Sequence, residues 1–293
     1  MAEGYWATRT YKVGRIGEKI KYWIPGKKPS RSERRLKTDI KKQEQNETNA
    51  IRRLARDLND PRNFEPGDLL LGLDYSEKGM ARLLAWIEEQ EEYREIDMND
   101  ETKSMDAIYA AAEHELELAL RRVKRCLAKE GVGLHAAYIT SDMDGETGET
   151  VRIHHHLVVN KESKQAFVEK WEKLGMGGVD WETMWKWQDD RTPISEYFIK
   201  QVRHVPDAKK YKTTRNLIRA VPKDRVAITS AELRPPKGAR LLHRSEYKPG
   251  RPQYIRYLLP EEKEYPDSLQ AHTRGSSIGK SRQSAKPPKG GGG

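Results

Sequence analysis

The 293-residue chain has one cysteine, Cys126. A lone thiol excludes an intramolecular disulfide and any zinc site built on cysteines. Cys126 falls in a helical pattern and reads as an apolar packing residue. Long hydrophobic runs are also missing. Apolar residues make up 35% of the chain and charged residues 34%, and no stretch approaches the roughly 20 apolar residues of a membrane-spanning helix. The first residues do not read as a secretory signal. These absences predict a cytoplasmic protein with no membrane partner. There is no Walker loop, no dinucleotide-binding glycine motif and no internal repeat. His114-Glu115 does not open a His-Glu-x-x-His motif, because Leu118 stands where the second histidine belongs.

Charge is plentiful, and it is unevenly placed around a net of +10. Residues 1–64 carry 17 Lys and Arg against 8 Asp and Glu, and residues 191–260 carry 17 against 5. The stretch between them, 65–190, carries 15 against 28. Two basic flanks around an acidic middle suit a polyanion held by the flanks and a divalent cation held at the centre.

Residues 1–32 mix aromatics with basic residues, including Tyr5, Trp6, Tyr11, Tyr22, Trp23 and Pro25, and read as short strands or an arm. Residues 33–59 carry helical spacing and stop at Asn59-Asp60-Pro61. After the turn Asn63-Phe64-Glu65-Pro66-Gly67-Asp68, a buried strand runs through Leu69-Leu70-Leu71-Gly72-Leu73. A helix is expected around Met80–Glu92, followed by an acidic loop to Glu101. The helix over 105–130 is the plainest, with Ile108, Ala112, Leu116, Leu120, Val123 and Leu127 recurring every three or four residues. Leu134 to Ser141 reads as a strand. The acidic connection after it has its glycine too early for a calcium loop, so a hairpin is expected. Residues 163–174 form an amphipathic helix. The tryptophans Trp181, Trp185 and Trp187 that follow suit packing at a domain edge. Four segments result: a basic arm and helix (1–60), a central domain (61–225), an extension that adds strands (226–265) and a disordered basic tail (266–293).

The most informative stretch is Val151-Arg152-Ile153-His154-His155-His156-Leu157-Val158-Val159. Its β-branched and apolar composition predicts a strand, and side chains on a strand alternate between faces. Val151, Ile153, His155, Leu157 and Val159 then share the core face. Arg152, His154, His156 and Val158 share the other, so His154 and His156 are paired and His155 is set apart. Two imidazoles at i and i+2 can hold one metal ion. The hairpin brings carboxylates close to them: Asp142 is the preferred third ligand, with Asp144 and Glu149 as alternates.

Downstream, Thr192-Pro193 opens a helix with Thr192 as its N-cap. Ile194, Phe198 and Val202 face inward, and Tyr197 and Lys200 are i, i+3 neighbours. A tyrosine beside an ammonium can act as a phosphoryl acceptor, because the cation favours phenolate and can also hold a phosphate. The tract Lys209-Lys210-Tyr211-Lys212-Thr213-Thr214-Arg215 has the composition of a phosphate-backbone contact. Arg152 and Arg203 complete the DNA-contact candidates.

The order of these pieces resembles the HUH (His-hydrophobic-His) endonucleases, the rolling-circle replication initiators of single-stranded DNA phages and plasmids. The likeness spans residues 60–225. Asn63-Phe64 with Gly67-Asp68 and the strand to Tyr75 looks like the first motif, residues 152–157 like the metal motif, and Glu196-Tyr197-Phe198-Ile199-Lys200-Gln201 like the nucleophile helix. His155 departs from the hydrophobic middle residue, and Asp142 stands where the family often carries glutamate. The resemblance implies an α+β fold with a central antiparallel sheet, ferredoxin-like in outline. It implies Mg²⁺ or Mn²⁺ on His154, His156 and a carboxylate, and Tyr197 attacking a phosphate to leave a 5′-phosphotyrosine and a free 3′-hydroxyl. Lys200 would offset charge on the phosphate. The implied setting is the cytoplasm of a bacterial host. The implied partners are single-stranded DNA with an origin hairpin, and a host helicase and polymerase, because no helicase motif follows. Transposases and relaxases share this chemistry. A DNA-binding module without catalysis, and a metal-dependent hydrolase that uses water, are the competing expectations.

Overall fold

The structure, a computed structural model, describes residues 4–24, 39–93, 101–144, 147–202, 209–222, 224–225, 232–246 and 251–261. The fold is α+β, with two antiparallel five-stranded sheets. Pro25, Arg203 and the tail expected over 266–293 lie outside the described residues.

The sheet that carries the three histidines is formed by β3 (Leu69–Leu73), β4 (Ala136–Met143), β5 (Thr150–Val159), β6 (Val179–Thr183) and β7 (Lys212–Thr213), in the spatial order β6-β3-β5-β4-β7. Its inner strands carry apolar residues on both faces because helices cover both, leaving β5 partly open at His154 and His156. Leu69, Leu71 and Leu73 of β3, with Ile153, Leu157 and Val159 of β5, pack under α2 (Glu77–Glu89), α3 (Glu101–Lys129) and α4 (Lys164–Phe167). Helix α4 continues into one π turn, Val168–Glu172, which buries Trp171. Cys126 packs at the margin of this layer. On the opposite face, Ala137, Ile139 and Val158 meet α1 (Asp39–Asn59) and α5 (Thr192–Gln201) through Leu54, Leu58, Ile194 and Phe198.

Helix α2 is capped by Ser76, whose hydroxyl accepts from the Gly79 N–H at 3.0 Å. Helix α5 departs from expectation: Thr192 is already its first helical residue, not the cap. Asp190 takes over the capping chemistry, accepting from the Thr192 N–H at 3.0 Å and from its hydroxyl at 2.6 Å.

The second sheet pairs early strands with late ones. Strands β1 (Tyr5–Val13) and β2 (Ile16–Ile24) form a hairpin through Gly14, whose φ of 52° favours glycine. Strand β10 (Gln253–Leu258) pairs with β2, while β9 (Arg240–Arg244) and β8 (Asp224–Arg225) close the two edges. This sheet lies against α1. Arg56 donates to the buried Glu18 at 2.9 Å and stacks its guanidinium over Tyr11, and Arg52 stacks over Tyr254. Helix α1 is therefore shared between the two sheets.

Candidate functional site

The alternation expected of β5 is present from Ile153 onward, whereas Val151, expected on the core face, is exposed near the hairpin turn. His155 is fully buried on the α3 side, held by the Tyr75 hydroxyl at 2.8 Å from Nε2 and the Thr140 hydroxyl at 3.0 Å from Nδ1. Burial, and then its two histidine neighbours, pushes its pKa down to about 3. His154 and His156 project from the other face, with their Nε2 atoms 3.0 Å apart. Gly72 stands directly across the ladder from His156 and adds no side chain beside it.

Helix α5 brings Tyr197 to this pair. Its hydroxyl is 3.4 Å from His156 Nε2, and its ring meets the imidazole edge-on with centroids 5.1 Å apart. The helix is pinned at both ends. At its start, the buried Arg191 donates its N–H to Asn59 Oδ1 at 2.9 Å and its guanidinium to the carbonyls of Leu58 and Phe64 at 2.6 and 3.0 Å. At its end, the Ser141 hydroxyl donates to the Gln201 carbonyl at 2.8 Å. Ile194 and Phe198 are buried as expected, and Val202 packs against them.

The helix also presents a residue outside the expected set. Gln201, one turn after Tyr197, places Oε1 3.0 Å from His156 Nε2, and its buried Nε2 has no hydrogen-bond partner among the described residues. The available signal is the i, i+4 spacing, which puts Gln201 on the same helix face as Tyr197.

Three polar atoms thus converge on His156 Nε2: His154 Nε2, Gln201 Oε1 and the Tyr197 hydroxyl. One ring nitrogen carries either one hydrogen or one lone pair, so it cannot serve all three. His154 Nδ1 donates to the Arg152 carbonyl at 2.9 Å, which leaves the His154 Nε2 lone pair aimed into the site. Burial, and then His154, pushes the His156 pKa down to about 4, so this imidazole is neutral at pH 7. Two imidazole nitrogens and an amide oxygen fit a divalent cation by donor type.

The expected carboxylate is placed elsewhere. Asp142 accepts from the Tyr109 hydroxyl at 2.6 Å, on the side of the sheet covered by α3. Asp144 Oδ1 accepts from the Thr147 N–H at 2.7 Å within the hairpin turn, and Glu149 is exposed. Among the described residues, no third His, Cys, Asp or Glu joins the pair in a metal-holding group.

Lys200 is exposed on α5, and Arg152 is exposed while donating to the Tyr75 carbonyl at 3.2 Å. Lys209 and Arg215 are exposed, and Lys210 is half-buried. Lys212 on β7 pairs with Glu113 at 3.0 Å and Glu117 at 3.6 Å. Asn63 anchors the tract that follows, exchanging hydrogen bonds with Ile218 at 2.7 and 2.9 Å. Trp181 and Trp185 are half-exposed or more, at 50% and 58%, so the tryptophan cluster is packed only in part; Trp187 joins the core margin. No protein family, curated protein or solved structure matches the chain.

Proposed function

We propose that the protein is a metal-dependent tyrosine endonuclease that nicks and rejoins single-stranded DNA, as a rolling-circle initiator of the HUH type does. The observation that carries this reading is the convergence of His154, His156, Gln201 and Tyr197 on one point at the open face of β5. The topology adds support. Strands β3, β4, β5 and β6 lie in the order β6-β3-β5-β4, with α2, α3 and α4 all on the face away from the histidine pair. Strand β5 lies between β3 and β4, an order compatible with the split βαβ arrangement that a ferredoxin-like sheet would have.

His154 Nε2, His156 Nε2 and Gln201 Oε1 would hold Mg²⁺ or Mn²⁺. The mixed nitrogen and oxygen donors favour Mn²⁺ for affinity. The ion would supply Lewis-acid polarisation of the scissile phosphate. The rest of the work belongs to the chain. The Tyr197 oxygen forms a bond to phosphorus as the bond to the 3′ oxygen breaks. The phenolic proton leaves, and the 3′ oxygen takes up a proton as it becomes a hydroxyl. The 5′ end stays on the tyrosine, and attack by a 3′-hydroxyl reverses the step and reseals the strand. Lys200, on the same helix, would offset charge on the phosphate oxygens. The pinning of α5 at Arg191 and Ser141 keeps Tyr197 at a fixed distance from the histidines.

The test is to incubate the protein with a pool of 3′-end-labelled single-stranded DNA and Mn²⁺ and to look for label on the denatured protein. The wild type retains label and Tyr197→Phe does not. Gln201→Ala weakens manganese binding about tenfold or more, the scale of lost support at a metal site. Cleavage without attachment would make water the nucleophile. A second reading, a DNA-binding module without catalysis, is favoured by one observation, the engagement of Asp142 with Tyr109 away from the histidine pair. It predicts salt-sensitive binding with neither cleavage nor attachment.

A further inference from the structure

A cavity of about 310 Å³ lies at the outer edge of β4, apart from the histidine pair. Strand β7 is two residues long and pairs only with Ala137 and Tyr138 of β4. The cavity lies where that ladder stops, beside Ile139 and Thr140. Its walls include the rings of Tyr109, Tyr138 and Tyr211, and Lys209, Lys210 and Lys212 also line it. Asp106 and Glu113 add two carboxylates, and Glu113 pairs with Lys212 at 3.0 Å.

This composition selects its ligand. Carboxylates among the lysines make the lining less favourable to a bare anion than lysines alone and suit a ligand that carries both a phosphate and hydrogen-bond donors. Aromatic rings beside ammonium groups suit a base with its phosphate, as on single-strand-binding surfaces. Carboxylates accept from the exocyclic amino groups of cytosine and adenine, and thymine has none to offer. Burial, and then Glu117 and Glu113, pushes the Tyr138 hydroxyl up to about 12, so it remains a neutral donor. The volume, at the small end for ligand pockets, suits one nucleotide and not a duplex.

The position links this cavity to the nicking site. Ile139 is the ladder partner of His156 and Thr140 that of His155. Val202, also in the lining, follows Gln201 directly. The α3 residues of the lining lie on the sheet face away from the histidine pair, so a DNA strand with its phosphate at Tyr197 would pass round the β4 edge, beside Val202, to place a flanking nucleotide in the cavity. We infer that the cavity takes one unpaired nucleotide next to the scissile phosphate, with an amino-bearing base. The identity of the strand rests on the nicking reading; nucleotide binding does not.

The test uses the full chain and ligand-observed NMR with dCMP, TMP and inorganic phosphate. Ala110, which lines the cavity, is replaced in Ala110→Trp to fill it with a ring. The wild type is expected to bind dCMP more tightly than TMP, and Ala110→Trp to lose dCMP binding at least fivefold while still binding manganese at the histidine pair. If manganese binding also fails in that variant, the double substitution Lys209→Ala, Lys210→Ala replaces it, with the same expected loss of dCMP. No dCMP binding by the wild type, equal binding of TMP, equal binding after substitution, or displacement by equimolar inorganic phosphate would each overturn the assignment. The two readings are distinguishable. dCMP binding without covalent DNA attachment rejects nicking and keeps the cavity; attachment without dCMP binding rejects the cavity alone.

Discussion

Three consecutive histidines have two distinct environments, and the difference follows from strand alternation alone. His155 lies in the core between two hydroxyls, whereas His154 and His156 meet at the open face. The acid side of the stability curve should report this. In the unfolded chain these imidazoles titrate near 6.5, but burial holds His156 down to about 4 and His155 to about 3 in the fold. Between these values the unfolded chain binds more protons than the folded one, so stability is full above pH 6.5 and is lost as pH falls towards 4. Urea denaturation at pH 7.5, 5.5 and 4.5 checks this. His155→Leu should flatten the acid fall while lowering stability at pH 7.5 by about 1–3 kcal/mol, because the Thr140 hydroxyl loses its partner. An unchanged acid slope in that variant would remove His155 from the account. The pairing of His154 with His156 is legible in the sequence because β5 carries a clear polar and apolar alternation. The placement of Asp142 is not. Strand β4 is covered on both faces, so Ala136-Ala137-Tyr138-Ile139 has no polar phase to say which side its last carboxylate takes.

At the scale of elements, the site depends on how α5 is moored. The spacing of Ile194, Phe198 and Val202 makes this helix and its buried face readable. Its two moorings are not readable, since they join Arg191 to the end of α1 and Gln201 to β4 across 60 residues or more. Such contacts are set by tertiary packing, and no local pattern encodes them. Ser141→Ala removes the donor to the Gln201 carbonyl and should cost about 1–2 kcal/mol in urea denaturation. It should also weaken manganese binding several-fold, because Gln201 supplies both the moored carbonyl and the side-chain oxygen at His156. The same substitution should leave DNA affinity unchanged, as the basic tract is anchored separately by Asn63 and by Asp57 with Arg219. A Ser141→Ala protein with wild-type manganese affinity would show that the C-terminal mooring does not position the ligand oxygen.

At the scale of the whole molecule, the second sheet is the least legible part. Aromatic and basic residues near the start suggest short strands, but the pairing of β2 with β10 joins residues more than 200 positions apart, and local periodicity carries no trace of it. The charge distribution is legible from the outset, and the structure sorts its members. Lys209 and Arg215 are exposed, whereas Lys212 is held between Glu113 and Glu117. A lysine already neutralised by two carboxylates releases few counterions when a phosphate approaches. On single strands, the logarithm of affinity falls with the logarithm of salt by about 0.7 per phosphate neutralised. Replacing Lys209 and Arg215 together with alanine should therefore reduce that slope by about 1.4, while Lys212→Ala should change it little. Fluorescence anisotropy of a labelled single strand over a salt series, with Tyr197→Phe as the background to prevent cleavage, measures both slopes. If Lys212→Ala alone moves the slope as far as the double substitution does, the DNA strand runs along α3 and breaks the Lys212 pairs. If neither moves it, the strand is held by other basic residues, and the tract after α5 is not its path.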